Sequence, residues 1–135
     1  MNNPLEQLIQ RHDVRPNNPF IKFDKKDVEL SVPERFQKQV DMYPEQIAVR
    51  AGEYSFTYDA LNKLANRIAR AILTKGNLKA EPIAILFESS APIIAAMLGV
   101  LKAGNFYVPL ATSQQKSRIT YIMEDTQARI MQTER

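Results

Sequence analysis

The sequence predicts an α/β fold with a largely parallel sheet and packed helices, and three observations carry that prediction. Pro82-Ile83-Ala84-Ile85-Leu86-Phe87 is a continuous apolar run of strand length, the pattern of a strand buried on both faces. Apolar stripes at three-and-four spacing alternate along the chain with such short runs, which is the order helix, strand, helix, strand of an α/β layer. Leu101-Lys102-Ala103-Gly104-Asn105-Phe106-Tyr107-Val108-Pro109-Leu110 reads as a helix end closed by a glycine and followed almost at once by a strand.

Each element has a local reason. Ser31-Val32-Pro33-Glu34 offers a hydroxyl, a proline in the first turn and a carboxylate three residues on, a capping box for a helix running to about Met42 and burying Phe36 and Val40. Tyr43-Pro44 stops it. Ile47-Ala48-Val49 and Tyr54-Ser55-Phe56 flank Ala51-Gly52-Glu53, so a hairpin follows. Thr57 caps a second helix whose stripe is Leu61, Leu64, Ala65, Ile68 and Ile72, with Gly76 or Asn77 at its end. After the Pro82–Phe87 strand, Ser89-Ser90-Ala91-Pro92 opens a third helix. Ile93 to Val100 is apolar all round, so that helix must pack on more than one side. Strand Phe106–Leu110, a short helix over Ser117–Asp125 with Ile119, Ile122 and Met123 on one face, and a strand over Ala128–Met131 complete the order.

Residues 1–30 differ in texture. Arg15-Pro16-Asn17-Asn18-Pro19 reads as a turn cluster and Asp24-Lys25-Lys26-Asp27 as solvated charge, and the expectation for Pro4–Arg11 is a short helix with an amphipathic hint in Leu5, Leu8 and Ile9. The expected organisation is an amino-terminal arm over 1–30 and one compact unit over 31–135.

Composition excludes several classes. With 135 residues and 44% hydrophobic content the chain supports one core. The 18 basic and 15 acidic residues leave +3, interspersed, with no basic run alternating with aromatics to track a nucleic acid. Zero cysteines exclude disulfides, thiolate metal sites and a cysteine nucleophile. The longest apolar stretch, Ala91 to Leu101, is about half of the ~20 residues that span a bilayer. The amino terminus lacks the basic head and apolar core of a secretory signal, so the cytoplasm is the expected location.

Chemistry-bearing motifs are scarce. The four glycines, Gly52, Gly76, Gly99 and Gly104, are far apart and make no phosphate loop. Ser89-Ser90 lacks the flanking glycines of a nucleophile elbow and reads as a helix cap. Glu124-Asp125 are adjacent on a helix and point apart, Phe106 and Tyr107 project to opposite faces of a strand, and the single histidine, His12, has no partner at ligand spacing.

The decapeptide Leu101–Leu110 resembles the second core motif of the adenylation domains of nonribosomal peptide synthetases, members of the adenylate-forming, AMP-dependent ligase superfamily. Phe56-Thr57-Tyr58-Asp59-Ala60-Leu61 resembles the first core motif, with Ala60 where the family has glutamate. Val32-Pro33-Glu34-Arg35-Phe36 and Tyr43-Pro44-Glu45-Gln46-Ile47-Ala48-Val49 are similar to the segments before it. Ile119–Ala128 is similar to the passage after the second motif. One departure lies at Leu110-Ala111-Thr112-Ser113-Gln114-Gln115, which lacks the family's aspartate and two prolines.

The resemblance covers about residues 31 to 133 and implies the amino-terminal part of a large domain, ending before its phosphate-binding loop. It implies that the complete domain uses ATP and magnesium to make an aminoacyl-adenylate and load a carrier-protein thiol in secondary-metabolite biosynthesis. No catalytic, cofactor-binding or metal residue transfers onto these 135 positions, so the chain alone is expected to be inactive and to bind no cofactor. Unpaired sheet edges imply self-association. Two alternatives stand beside this reading: a noncatalytic interaction module or gene remnant whose arm docks a synthetase partner, and a fragment of an acyl-CoA synthetase-like ligase.

Overall fold

The structure, a computed structural model, describes residues 22–76, 79–88 and 91–132. The expected helix over Pro4–Arg11, His12, Asn77 and Ser89-Ser90 lie outside the described residues.

Helix α1, Val32–Met42, starts on the expected capping box: Ser31 Oγ accepts from the Glu34 amide at 3.4 Å, and Glu34 Oε2 accepts from the Ser31 amide at 2.7 Å. The Ser31 hydroxyl, which also donates to Glu34 Oε2 at 2.7 Å, and then the Ser31 amide hold the Glu34 carboxyl below its usual range. A carboxylate pKa depressed by folding contributes stability that is present above the unfolded value and lost as pH falls through the folded one. Acidification from pH 7 to about 3 is therefore expected to lower the melting temperature of the parent more than that of Glu34→Gln. Identical slopes in thermal melts would contradict the role of this cap.

Before α1, Lys25–Glu29 forms a 3-10 turn capped by the Asp24 carboxylate. Asp24–Asp27, expected as free solvated charge, is thus ordered: Asp27 Oδ1 accepts from Lys38 Nζ at 2.7 Å, and the Arg35 guanidinium lies 4.2 Å over the Phe23 ring. The segment straps back along α1.

Strands β1 (Ile47–Ala51) and β2 (Tyr54–Thr57) form the expected antiparallel hairpin, with Gly52 in the left-handed region at φ 57° in its turn. Helix α2, Tyr58–Thr74, follows directly, and Thr57 Oγ1 accepts from the Ala60 amide at 3.1 Å. Ala60 has no carboxylate to return that bond, so half of a capping box exists here. Asp59 pairs with Lys63 one turn on, at 2.7 Å.

Helix α2 is the spine of the molecule. Its first half puts Leu61 and Ala65 into a core with Ala95 and Leu98, closed by Phe36, Ala48, Val49 and Phe56. Its second half puts Ala69 and Ile72 into a core with Ile83, Ile85, Ile93, Ala96 and Val100. Helix α3, Pro92–Lys102, lies between the two cores and is buried at Ile93, Ala95, Ala96, Leu98, Gly99 and Val100, as its all-round apolar surface requires. It begins at Ala91 with no side-chain cap, which the serine-rich opening did not suggest.

The α3 carboxyl end is a Schellman cap. The Asn105 amide bonds the Val100 carbonyl at 3.1 Å, the Gly104 amide bonds the Leu101 carbonyl at 3.0 Å, and Gly104 sits at φ 80°. Buried Asn105 then accepts the Glu81 amide at 3.1 Å on its Oδ1, fastening this joint to the start of the next strand pair.

Strands β3 (Pro82–Phe87), β4 (Phe106–Ala111) and β5 (Arg129–Gln132) form a parallel sheet in the order β4-β3-β5. Ala84 and Ile85 of the central strand are fully buried. Tyr107 packs into the helix-side core while neighbouring Phe106 faces away, half exposed. The two edges differ. Amides of Phe106 and Thr112 point to β3, bonding the carbonyls of Glu81 and Phe87. By alternation those of 107, 109 and 111 point outward. Position 109 is proline and has no amide, and the Ala111 amide is taken by Gln114 Oε1 at 3.2 Å. Strand β4 is therefore a blunted edge.

Helix α4, Lys116–Thr126, joins β4 to β5 and ends at Gln127 in the left-handed conformation, φ 54°. It buries no residue completely: Ile119, Ile122 and Met123 are half-buried and Tyr121 is exposed.

Candidate functional site

In a parallel sheet the strand carboxyl ends share one edge, and ligand crevices of α/β folds form outside it. Here that edge is Phe87, Ala111 and Gln132. The segment after β4 is a tight turn: the Thr112 amide bonds the Phe87 carbonyl at 3.1 Å, and the Gln114 amide bonds the Ala111 carbonyl at 3.0 Å. Gln114 thus fixes with its side chain and amide the turn in which the resemblance leads one to expect prolines. Thr112 and Ser113 stand exposed on it. Glu124 and Asp125 are exposed on α4.

The polar centre of the molecule lies elsewhere, and sequence reading missed it. Lys102, in the last turn of α3, donates from Nζ to Asn62 Oδ1 at 2.7 Å and to Asn66 Oδ1 at 2.9 Å on α2. Asn62, buried on the core side of α2, donates from Nδ2 to Gln37 Oε1 at 3.2 Å, and Gln37 donates to Asp41 Oδ1 at 2.9 Å on α1. The relay runs across three helices in one direction, from an ammonium to a carboxylate. Burial lowers the Lys102 pKa, since its two acceptors are neutral carbonyls. The signal in the sequence is faint: an asparagine next to Leu61 inside an apolar stripe, and a lysine where the helix dipole alone would justify a cation.

An apolar groove of about 470 Å³ lies between α1, the hairpin, α2 and α3, lined by Val32, Phe36, Ala48, Val49, Tyr58, Leu61, Ile94 and Leu98 together with Arg35 and Gln39. A second, of about 240 Å³, lies beside it under Lys22 and Phe23 and shares Arg35 and Gln39. Among the described residues no three His, Cys, Asp or Glu side chains come together to hold a metal. Gly52, Gly76 and Gly104, the left-handed glycines, are separate turn and cap positions and form no phosphate cradle. Among the described residues no set of side chains fits ATP phosphates or magnesium.

Comparison with known proteins decides the family. Residues 36–135 match the model of the AMP-binding enzyme family. The chain belongs to the AMP-binding enzyme family. Tyrocidine synthase 3 of Brevibacillus parabrevis is 41% identical over 96 residues, which are 71% of this chain and 2% of that protein. The crystal structure of the nonribosomal peptide synthetase FmoA3 superposes with a TM-score of 0.73 at 26% identity, over 78% of this chain and 11% of that one. The fatty acid AMP ligase of Legionella pneumophila shares the fold, with a TM-score of 0.71 at 22% identity over 82% of this chain and 21% of that one.

Within this AMP-binding family, the matched residues are the amino-terminal part of an adenylate-forming domain of the nonribosomal peptide synthetase type. The chain spans between 1% and 10% of the length of the curated AMP-binding relatives it matches. Among the described residues no helix is long and apolar enough to cross a membrane.

Proposed function

We propose that residues 31–135 are framework for an ATP- and magnesium-dependent adenylate-forming domain that activates an amino acid as its adenylate and loads it onto a carrier-protein thiol in the cytoplasm. Residues 1–30 form an arm to it. The observation that carries this reading is order: the capped helix after the hairpin, the Gly104 joint and the α4–β5 passage follow one another as the resembling segments do, and the strands after the hairpin pair as one parallel sheet. The contribution of these residues is positional. The Schellman cap and Asn105 set where β4 leaves α3, and the Gln114 turn sets where its carboxyl end stops.

The test starts from the endogenous polypeptide, captured from its source cells with an antibody against Met1–Leu30 and assayed for amino-acid-dependent ATP–pyrophosphate exchange. Exchange by a product far larger than 15.4 kDa supports the reading. The purified 135-residue chain is expected to give none, and exchange by it would overturn the framework-only role.

The 135-residue chain is also expected to self-associate, through β5 and not β4. Pro109 and Gln114 blunt the outer side of β4, whereas among the described residues β5 pairs with β3 alone in this sheet. Light scattering checks this: a strictly monomeric sample with a sharp cooperative melt counts against it.

A further inference from the structure

The 3-10 strap and α1 are fastened to each other. Asp27 of the strap pairs with Lys38 at 2.7 Å, the Arg35 guanidinium lies over the Phe23 ring, and the hollow beneath Lys22 is walled by strap and α1 residues together. Residues 22–42 therefore hold together as one piece. Its exit is a change of backbone: Tyr43, with φ −135° and ψ 51°, is neither helical nor extended. Beyond it the chain is pinned to the start of α2, where the Asp59 amide bonds the Pro44 carbonyl at 3.0 Å and the Tyr58 amide bonds the Gln46 carbonyl at 2.9 Å. A separable piece thus meets a fixed one at Tyr43.

The seat of this piece is shallow. Val40 is the buried residue of α1, and Phe36 is half-buried against the Leu61 core, its ring 6.0 Å from that of Tyr58. Beside them Gln37 Oε1 accepts from Asn62 Nδ2 at 3.2 Å. A side-chain amide is planar, so holding its oxygen fixes the direction of its nitrogen. Lys102 Nζ, 2.7 Å from Asn62 Oδ1, holds that oxygen. The ammonium on α3 therefore aims the donor that α1 receives.

We propose that residues 22–42 open and close as one flap about Tyr43, and that Lys102 sets how firmly the flap is seated, acting through Asn62 on Gln37. Lys102 stands just before Gly104, whose cap launches β4, so the seating of α1 is linked to the α3–β4 joint. Opening of this kind exposes Val40 and Phe36 while the contact between α2 and α3 stays closed, so it takes less free energy than unfolding the molecule. Lys102 is a positioning residue in this device, and the inference is independent of the adenylating role.

Amide hydrogen exchange of the full 135-residue chain, followed residue by residue at rising denaturant, tests this. The α1 amides from Phe36 to Asp41 are expected to exchange about tenfold or more faster than those of α2 around Leu61, with a shallower dependence on denaturant. Gln37→Ala, which keeps helix propensity and removes the acceptor, is expected to speed the α1 amides about fivefold, the weight of one neutral hydrogen bond. Lys102→Met is expected to do the same in the parent and to add less than about twofold in the Gln37→Ala background. Exchange of the α1 amides in step with those of α2, at one rate and one denaturant slope, would overturn the flap. Equal acceleration by Lys102→Met with and without Gln37 would overturn the link to α3, because a general loss of stability would then account for it.

Discussion

Gly99→Ala is expected to be the most damaging single-methyl change in this chain. A Cβ at position 99 would stand 2.6 Å from Ile68 Cγ2, 2.7 Å from Ile68 Cβ and 3.0 Å from the Ala65 carbonyl oxygen. Gly99 of α3 lies directly against Ile68 and the Ala65 carbonyl of α2, so one helix must move, and both cores border these two helices. Overpacking of this kind costs about 2 kcal/mol, which lowers the melting temperature of a domain this size by roughly 8 °C. Ile68→Ala is not expected to rescue it, because the Ile68 Cβ and the Ala65 carbonyl both remain in the way. Gly104→Ala has another cause of strain: the space is open and only the φ of 80° opposes a side chain. A melt of Gly99→Ala within 2 °C of the parent would show that the helices separate freely, contrary to this packing.

Lys102→Met is the second large effect. It removes the donor for Asn62 Oδ1 and Asn66 Oδ1, and Asn62 is only 9% exposed. Leaving a buried carbonyl unsatisfied costs about 1–3 kcal/mol. Removing both partners is cheaper than removing one, so Lys102→Met with Asn62→Leu is expected to regain most of the loss, and a double-mutant cycle measures the coupling. The alkaline side offers a separate reading. Burial lowers the Lys102 pKa from 10.5, so between the folded and unfolded values the unfolded chain holds more protons. Stability attributable to Lys102 then rises with pH through that window. Lys63, whose pKa is raised by Asp59, works in the opposite sense. The measurement is therefore the difference between parent and Lys102→Met as pH climbs towards the lysine value: the gain should vanish in the variant, and parallel curves would refute the buried-lysine account.

What was legible in the sequence is what a few neighbouring residues decide. The capping box of Ser31 and Glu34, the turn at Gly52, the cap at Thr57, the glycine stop at Gly104 and the doubly buried strand Pro82–Phe87 all follow from side chains within one turn of each other. What escaped depends on distance in the chain. Asn62 and Lys102 are 40 positions apart, and their pairing exists only because α2 and α3 pack side by side. The same holds for Asp27, which read as solvated charge until the strap folds back onto Lys38. Gly99 sat inside a strongly apolar helix, and spacing alone does not tell a glycine of close approach from one tolerated by chance. The loop after β4 was obscured by the missing prolines, because a glutamine that closes a turn leaves no mark as plain as theirs.

Helix α4, which buries none of its 11 residues completely, bears on motion. Local opening is governed by the apolar surface that must be exposed to achieve it, and little separates α4 from its unravelled form. In hydrogen–deuterium exchange its amides should be labelled within the first time points, while those of α2 around Leu61 and Ala65 stay protected until the whole molecule unfolds. The described residues are thus a slow core carrying a fast segment, and among them a protease added to the folded protein would find its first cut beyond Gln115.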